Sequence, residues 1–93
     1  MVIGKVIGNV WATRKDEKLN GLKFLIIEPS KYGNGDKSTI FVAADIVGAG
    51  IGDSVLVTKG SSARASLNIQ DVPVDAVIVG IIDSLEVDAE FLE

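Results

Sequence analysis

The sequence predicts an all-β domain: a small five-stranded closed β-barrel, OB-like in size, with one short helix late in the chain. Three observations lead there. Ninety-three residues hold one domain, 1–93, with little room for a second core. Five apolar segments of strand length are separated by clusters of glycine, asparagine, proline and charge. After the fourth segment a run of small residues breaks that rhythm, and Ala65 to Asn68 reads as one or two helical turns.

Met1 to Thr13 forms the first strand. Val2, Val6 and Val10 share one face with Gly4, Gly8 and Ala12; Ile3, Ile7 and Trp11 share the other with Lys5 and Asn9. A half-buried strand has one apolar and one polar face. Here both are substantially apolar, so the second face is expected to pack on another subunit. Gly4 and Gly8 signal sharp curvature or close approach. Arg14 to Asn20 is a charged loop, and Asn20-Gly21 is a turn signal. Leu22 to Glu28 is the second strand, apolar on both sides apart from Lys23. Pro29 to Ser38 contains Tyr32-Gly33-Asn34-Gly35-Asp36 and reads as a hairpin loop. Thr39 to Ala44 follows as the third strand.

Asp45 then enters a corner in which Gly48, Gly50 and Gly52 alternate, with Ala49 and Ile51 between them. Glycines here point to backbone angles that other residues resist, and to tight corners where backbones approach closely. Ser54 to Thr58 is the fourth strand, with Val55 and Val57 on one face. Gly60 ends it. Ser61-Ser62-Ala63-Arg64 turns into the short helix, with a serine expected as N-cap. Val74 to Val87 is the last strand. Its run Ala76 to Ile82 is apolar on both faces, which predicts cover on both sides. Residues 88–93 form an acidic tail with Phe91 and Leu92 as a hook.

Composition removes several function classes. Mean hydropathy is +0.37, yet no apolar run reaches the roughly 18 residues of a membrane span. There is no cysteine and no histidine. That excludes disulfides, thiol chemistry and the commonest general base and transition-metal ligand. No cofactor is expected. The net charge is −4, and five scattered aromatics give no stacking platform in a basic groove. Charge is also uneven: residues 1–37 carry seven Lys/Arg against four acids, and residues 71–93 carry seven acids and no base. That asymmetry reads first as a solvated acidic C-terminal tail; the alternative is complementary patches on neighbouring subunits, which would serve register more than affinity.

Single residues offer little chemistry. Gly48-Ala49-Gly50-Ile51-Gly52 has a strand after it, not the helix a phosphate cradle requires. Ser61 and Ser62 lack a histidine partner. Asp45, Asp53, Asp75 and Asp83 match no calcium loop and sit where aspartate bonds the backbone. Arg64, the only arginine after residue 14, could fork onto a neighbour's carboxylate or carbonyls. Trp11, the only tryptophan, lies on the second apolar face and reads as an interface anchor.

Several separated stretches resemble the bacterial microcompartment vertex proteins, the EutN/CcmL family. They are Gly4-Lys5-Val6-Ile7-Gly8-Asn9-Val10-Trp11-Ala12-Thr13, Asn20-Gly21-Leu22-Lys23-Phe24-Leu25, Asp45 to Val57, Gly60-Ser61-Ser62-Ala63-Arg64 and Pro73 to Asp83. Their order matches along nearly the whole chain; Asp53 departs mildly, standing where the family often has Glu. The resemblance implies an OB-like barrel assembled as a homopentamer, without catalysis, that caps the vertices of a cytoplasmic protein shell. Hexameric facet proteins would be its other partners, with no nucleic acid and no membrane. It further implies that Gly48, Ala49, Gly50, Gly52, Ser61, Ser62 and Arg64 lie near the five-fold axis or the subunit contacts. The alternative from a different class is an OB-like binding module for nucleic acid or a small anion at the glycine corner.

Overall fold

In a computed structural model the described residues are 1–12, 17–30, 39–68 and 73–83. The expected acidic tail 88–93, most of the hairpin loop after Pro29 and the end of the predicted last strand lie outside them. Five strands form one closed barrel: β1 (Val2–Val10), β2 (Lys23–Pro29), β3 (Phe41–Asp45), β4 (Ser54–Lys59) and β5 (Ala76–Ile81). Their order around the barrel is β1-β2-β3-β5-β4, and β4 returns to β1. All pairings are antiparallel except β3 with β5, which is parallel through Ala44↔Val77 and Asp45↔Ile78.

Alternation along each strand selects the interior. Val6, Leu25, Ile27, Ala43, Val55, Val57 and Ile78 are fully buried together, so the faces read from the sequence hold for β1 and β4. Gly4 is where the barrel wall is tightest. A Cβ there would sit 3.0 Å from the Glu28 carbonyl oxygen and closer still to the Ile27 side chain. The β1–β2 register then slips between Val6 and Gly8, so Ile7 has no opposite number on β2. Such a bulge bends the strand and turns the unpaired residue outward; Ile7 is exposed.

A second apolar layer lies outside the wall. Ala44 and Val77 face away from the barrel interior, against Ala63 and Leu67 of α1 (Ser61–Leu67) and Leu19, Leu22 and Phe24. The predicted double cover of the last strand is therefore present at Val77 and Ile78, and the same chain supplies it. Along β1 and just past its end the second face stays open within the protomer at Ile7 and Trp11, 41% and 92% exposed. Leu19 comes from a single 3-10 turn, Glu17–Leu19, inside the stretch read as a charged loop. Gly21, at φ 85°, closes the predicted Asn20-Gly21 turn.

The helix begins earlier than expected, at Ser61. Gly60 is its N-cap, at φ 68°, and no side chain caps the helix. The serine cap is thus corrected: the left-handed backbone at residue 60 favours glycine. It sets both serines inside the first turn, and both are exposed. β5 starts two residues later than expected, and the Asp75 carbonyl just before it accepts from Gly60 N at 2.8 Å, holding the helix entry.

Candidate assembly surface

The corner between β3 and β4 is closed by its own carboxylates. Asp45 Oδ1 accepts from the backbone N–H of Val47 (3.0 Å) and Gly48 (3.1 Å). Asp53 Oδ2 accepts from Gly50 N at 2.8 Å. Gly52 N donates to Val6 O at 2.8 Å, and Val6 N donates to Asp53 O at 2.9 Å, which ties the corner to β1. Lys23 Nζ donates to the Ala49 carbonyl at 2.8 Å and lies 3.8 Å from Asp45 Oδ2. The Asp45 side chain is 2% exposed and that of Lys23 54%. Ala49 is buried in the barrel core and plugs it from this corner.

This geometry decides the role of the glycines. Gly48 and Gly52 have φ of 84° and 97°, where a side chain costs roughly 1–2 kcal/mol. Nothing lies within 4 Å of where their Cβ atoms would be. The close approach expected at this corner is therefore corrected within the protomer: backbone angle is the reason for these glycines, and close approach belongs to Gly4. The small-anion alternative loses its donors here. The N–H groups of Gly48, Gly50 and Gly52 are all engaged, two of them by carboxylates that repel an anion.

Beside the corner runs an open apolar groove. Val10, Trp11, Leu22, Phe24 and Ile51 line it, with Lys23 at its wall. Trp11 is 92% exposed and Ile51 63%. Val47 and Ile46 are also exposed on the corner. A contiguous patch containing a bare tryptophan marks a surface built for contact. Of the predicted residues, Trp11 and Gly50 line this groove directly, and Gly48, Ala49 and Gly52 build the corner behind it. Ser61, Ser62 and Arg64 are not in its lining. They are exposed on α1, which follows β4 and packs through Ala63 and Leu67 on the layer that holds Ala44, Leu22 and Phe24. Among the described residues no partner meets the Arg64 guanidinium.

Sequence reasoning missed Lys23 and Ile51. A lone lysine in an apolar strand was the available signal for the first. A large aliphatic residue flanked by glycines was the signal for the second. Among the described residues no group of His, Cys, Asp and Glu could hold a metal ion, and no helix is long and apolar enough to cross a membrane.

Known proteins share this architecture. Residues 1–83 match the family described as "Ethanolamine utilisation protein EutN/carboxysome". The carboxysome shell vertex protein CcmL of Synechococcus elongatus is 41% identical over 88 residues, 95% of this chain and 89% of that one. The solved structure of Gloeobacter violaceus CcmL is 42% identical with a TM-score of 0.83, covering 95% of this chain and 91% of that chain. The pentameric microcompartment shell protein GrpN from Rhodospirillum rubrum is 41% identical with a TM-score of 0.79, covering 95% of this chain and 100% of that chain.

Proposed function

The chain belongs to the EutN/CcmL family, and from that premise we propose that it is a structural shell protein. Five copies form a ring that caps the vertices of a bacterial microcompartment. The observation that carries the reading is the match to shell vertex proteins along nearly the whole chain. The exposed groove at Trp11 supplies a physical reason for assembly: this much apolar surface is stable in water once a neighbour covers it.

The logic of the function is geometric. Hexagonal tiling is flat, and five-fold points supply the curvature that seals a polyhedral shell. A five-membered ring joins one patch of each protomer to a different patch of the next, and the rotation closes. The groove and corner are one such patch. We assign the exposed face of α1 with Arg64 to a second contact region. The protein works in the cytoplasm by holding its place among hexameric facet proteins, and no reaction is assigned to it. Relatives named for carboxysomes and for another microcompartment match equally well, 41% and 42%, so the vertex role rather than one cargo pathway is the shared property.

Native mass in solution tests this reading. The protomer is 9.8 kDa, so a ring of five weighs about 49 kDa. That mass is the expected result. A monomer at micromolar concentration overturns the reading, and a hexamer overturns the vertex role, since six-fold rings tile flat.

A further inference from the structure

We propose that the groove at Trp11 is filled by residues 84–93 of the adjacent protomer, with Phe91 and Leu92 entering beside Trp11 and Ile51. The inference rests on the ring reading and adds to it a named occupant for one contact. It concerns a stretch beyond the family match, which ends at residue 83.

Three observations point to this segment. The first is composition. Residues 84–93 read Ser-Leu-Glu-Val-Asp-Ala-Glu-Phe-Leu-Glu, in which apolar and acidic residues alternate up to Phe91. An extended chain with that period shows one apolar and one acidic edge. The second is charge. The segment carries four acids and no base. The groove wall carries Lys23, whose half-exposed ammonium spends one hydrogen on the Ala49 carbonyl and keeps donors for another acceptor. The third is reach. Ile82 N donates to Ser54 O at 2.8 Å, so the segment departs beside the start of β4. Ten extended residues span about 33 Å, more than the two shorter of the protomer's 48 × 24 × 23 Å extents. The segment can therefore cross to a neighbour. A closed ring needs two different complementary patches on one chain. An apolar groove with Lys23 at its wall and an apolar strip edged with acids make such a pair.

The test uses the full chain, a chain ending at Asp83, and a synthetic peptide of residues 84–93. Trp11 is the sole tryptophan, so acrylamide quenching of its fluorescence reads groove cover directly. The truncated chain is expected to lose the shielding seen in the full chain. Added peptide should restore it, less well at high salt, and Phe91→Ala in the peptide should weaken that rescue about tenfold. The chain has no cysteine, so Ala12→Cys with Leu92→Cys allows clean linking by a short bis-maleimide. Linked chains running as dimers up to pentamers place the segment on the neighbour. Links confined within single chains overturn that assignment. Equal quenching in the full and truncated chains, with no response to peptide, overturns the docking altogether. Native mass of the full chain is read separately: a pentamer with unchanged quenching leaves the ring standing and removes only this inference.

Discussion

Truncating Asp45 should unlatch the corner, and the structure says how much each bond contributes. Asp45→Ala removes a nearly buried carboxylate that accepts from Val47 N at 3.0 Å and Gly48 N at 3.1 Å. Hydrogen bonds to a charged group are worth about 1.5–3 kcal/mol each. Both donors are at exposed residues, so water replaces part of the loss, and we expect a cost of about 2–3 kcal/mol. The Lys23 contact is a different case. At 3.8 Å, with the lysine half exposed, the ion pair contributes about 0.2–1 kcal/mol. Lys23→Met also loses the bond to the Ala49 carbonyl, for a total near 1 kcal/mol. Asp45→Asn keeps an oxygen facing both N–H groups and should cost about 1 kcal/mol. Urea unfolding followed by far-UV circular dichroism, at one fixed protomer concentration because assembly couples to stability, measures all three. Asp45→Ala is expected to lower the melting temperature by roughly 10–20 °C. The reasoning is refuted if Asp45→Ala falls within about 0.5 kcal/mol of the parent, or if the double-mutant coupling to Lys23 exceeds about 2 kcal/mol. The second result would mean that the ion pair, and not the backbone bonds, holds the corner.

Other outcomes follow from single contacts. Gly4→Ala should destabilise by about 1–3 kcal/mol, because its new methyl meets Ile27 and the Glu28 carbonyl inside a packed wall; denaturant midpoints check this. Gly52→Ala should cost about 1–2 kcal/mol from backbone conformation alone, since space is free around it; a larger loss in the ring than in the dissociated protomer would show that a neighbour occupies that space. Trp11→Ala should leave the protomer folded and weaken the ring by about 2 kcal/mol or more per contact, seen as mass falling on dilution through low micromolar concentration. Arg64→Ala should weaken assembly in the same assay, and unchanged mass would remove α1 from the contact regions.

Much of the barrel was legible because alternation is a local property. Val6, Val55 and Val57 declared their faces without any knowledge of partners, and the Asn20-Gly21 turn is written in two residues. What failed to show depends on geometry between distant residues. The serine pair at 61–62 suits a helix start, yet the frame is set by the left-handed backbone at Gly60 and its bond to Asp75. Close approach was expected both at Gly4 and at the glycine corner; the β1–β2 register confirms it at Gly4 and the open space around Gly48 and Gly52 removes it from the corner within the protomer. Trp11 was readable as an outward anchor, but its groove was not. The groove exists because Val6 bonds to Gly52 and Asp53, which carries Ile51 alongside β1. Ser61, Ser62 and Arg64 were grouped with the corner by resemblance; in the fold they lie on α1, outside the groove lining.

The parallel seam between β3 and β5 bears on how the chain acquires its shape. It is only two residue pairs long, and it joins segments more than thirty positions apart in sequence. Local hairpin formation cannot make it; it waits for the entropy of a long loop to be overcome. Until β5 arrives, β3 and β4 each present an unpaired strand edge, and Val55, Val57 and Ala44 lack their final cover. That half-made sheet is the species most prone to mispair with another chain. Sealing this edge therefore belongs to the non-local part of folding, together with the β1–β4 seam that joins Val2 to Val57, and substitutions along Ala76–Ile81 that leave β3 and β4 unpaired should lower the yield of competent subunits.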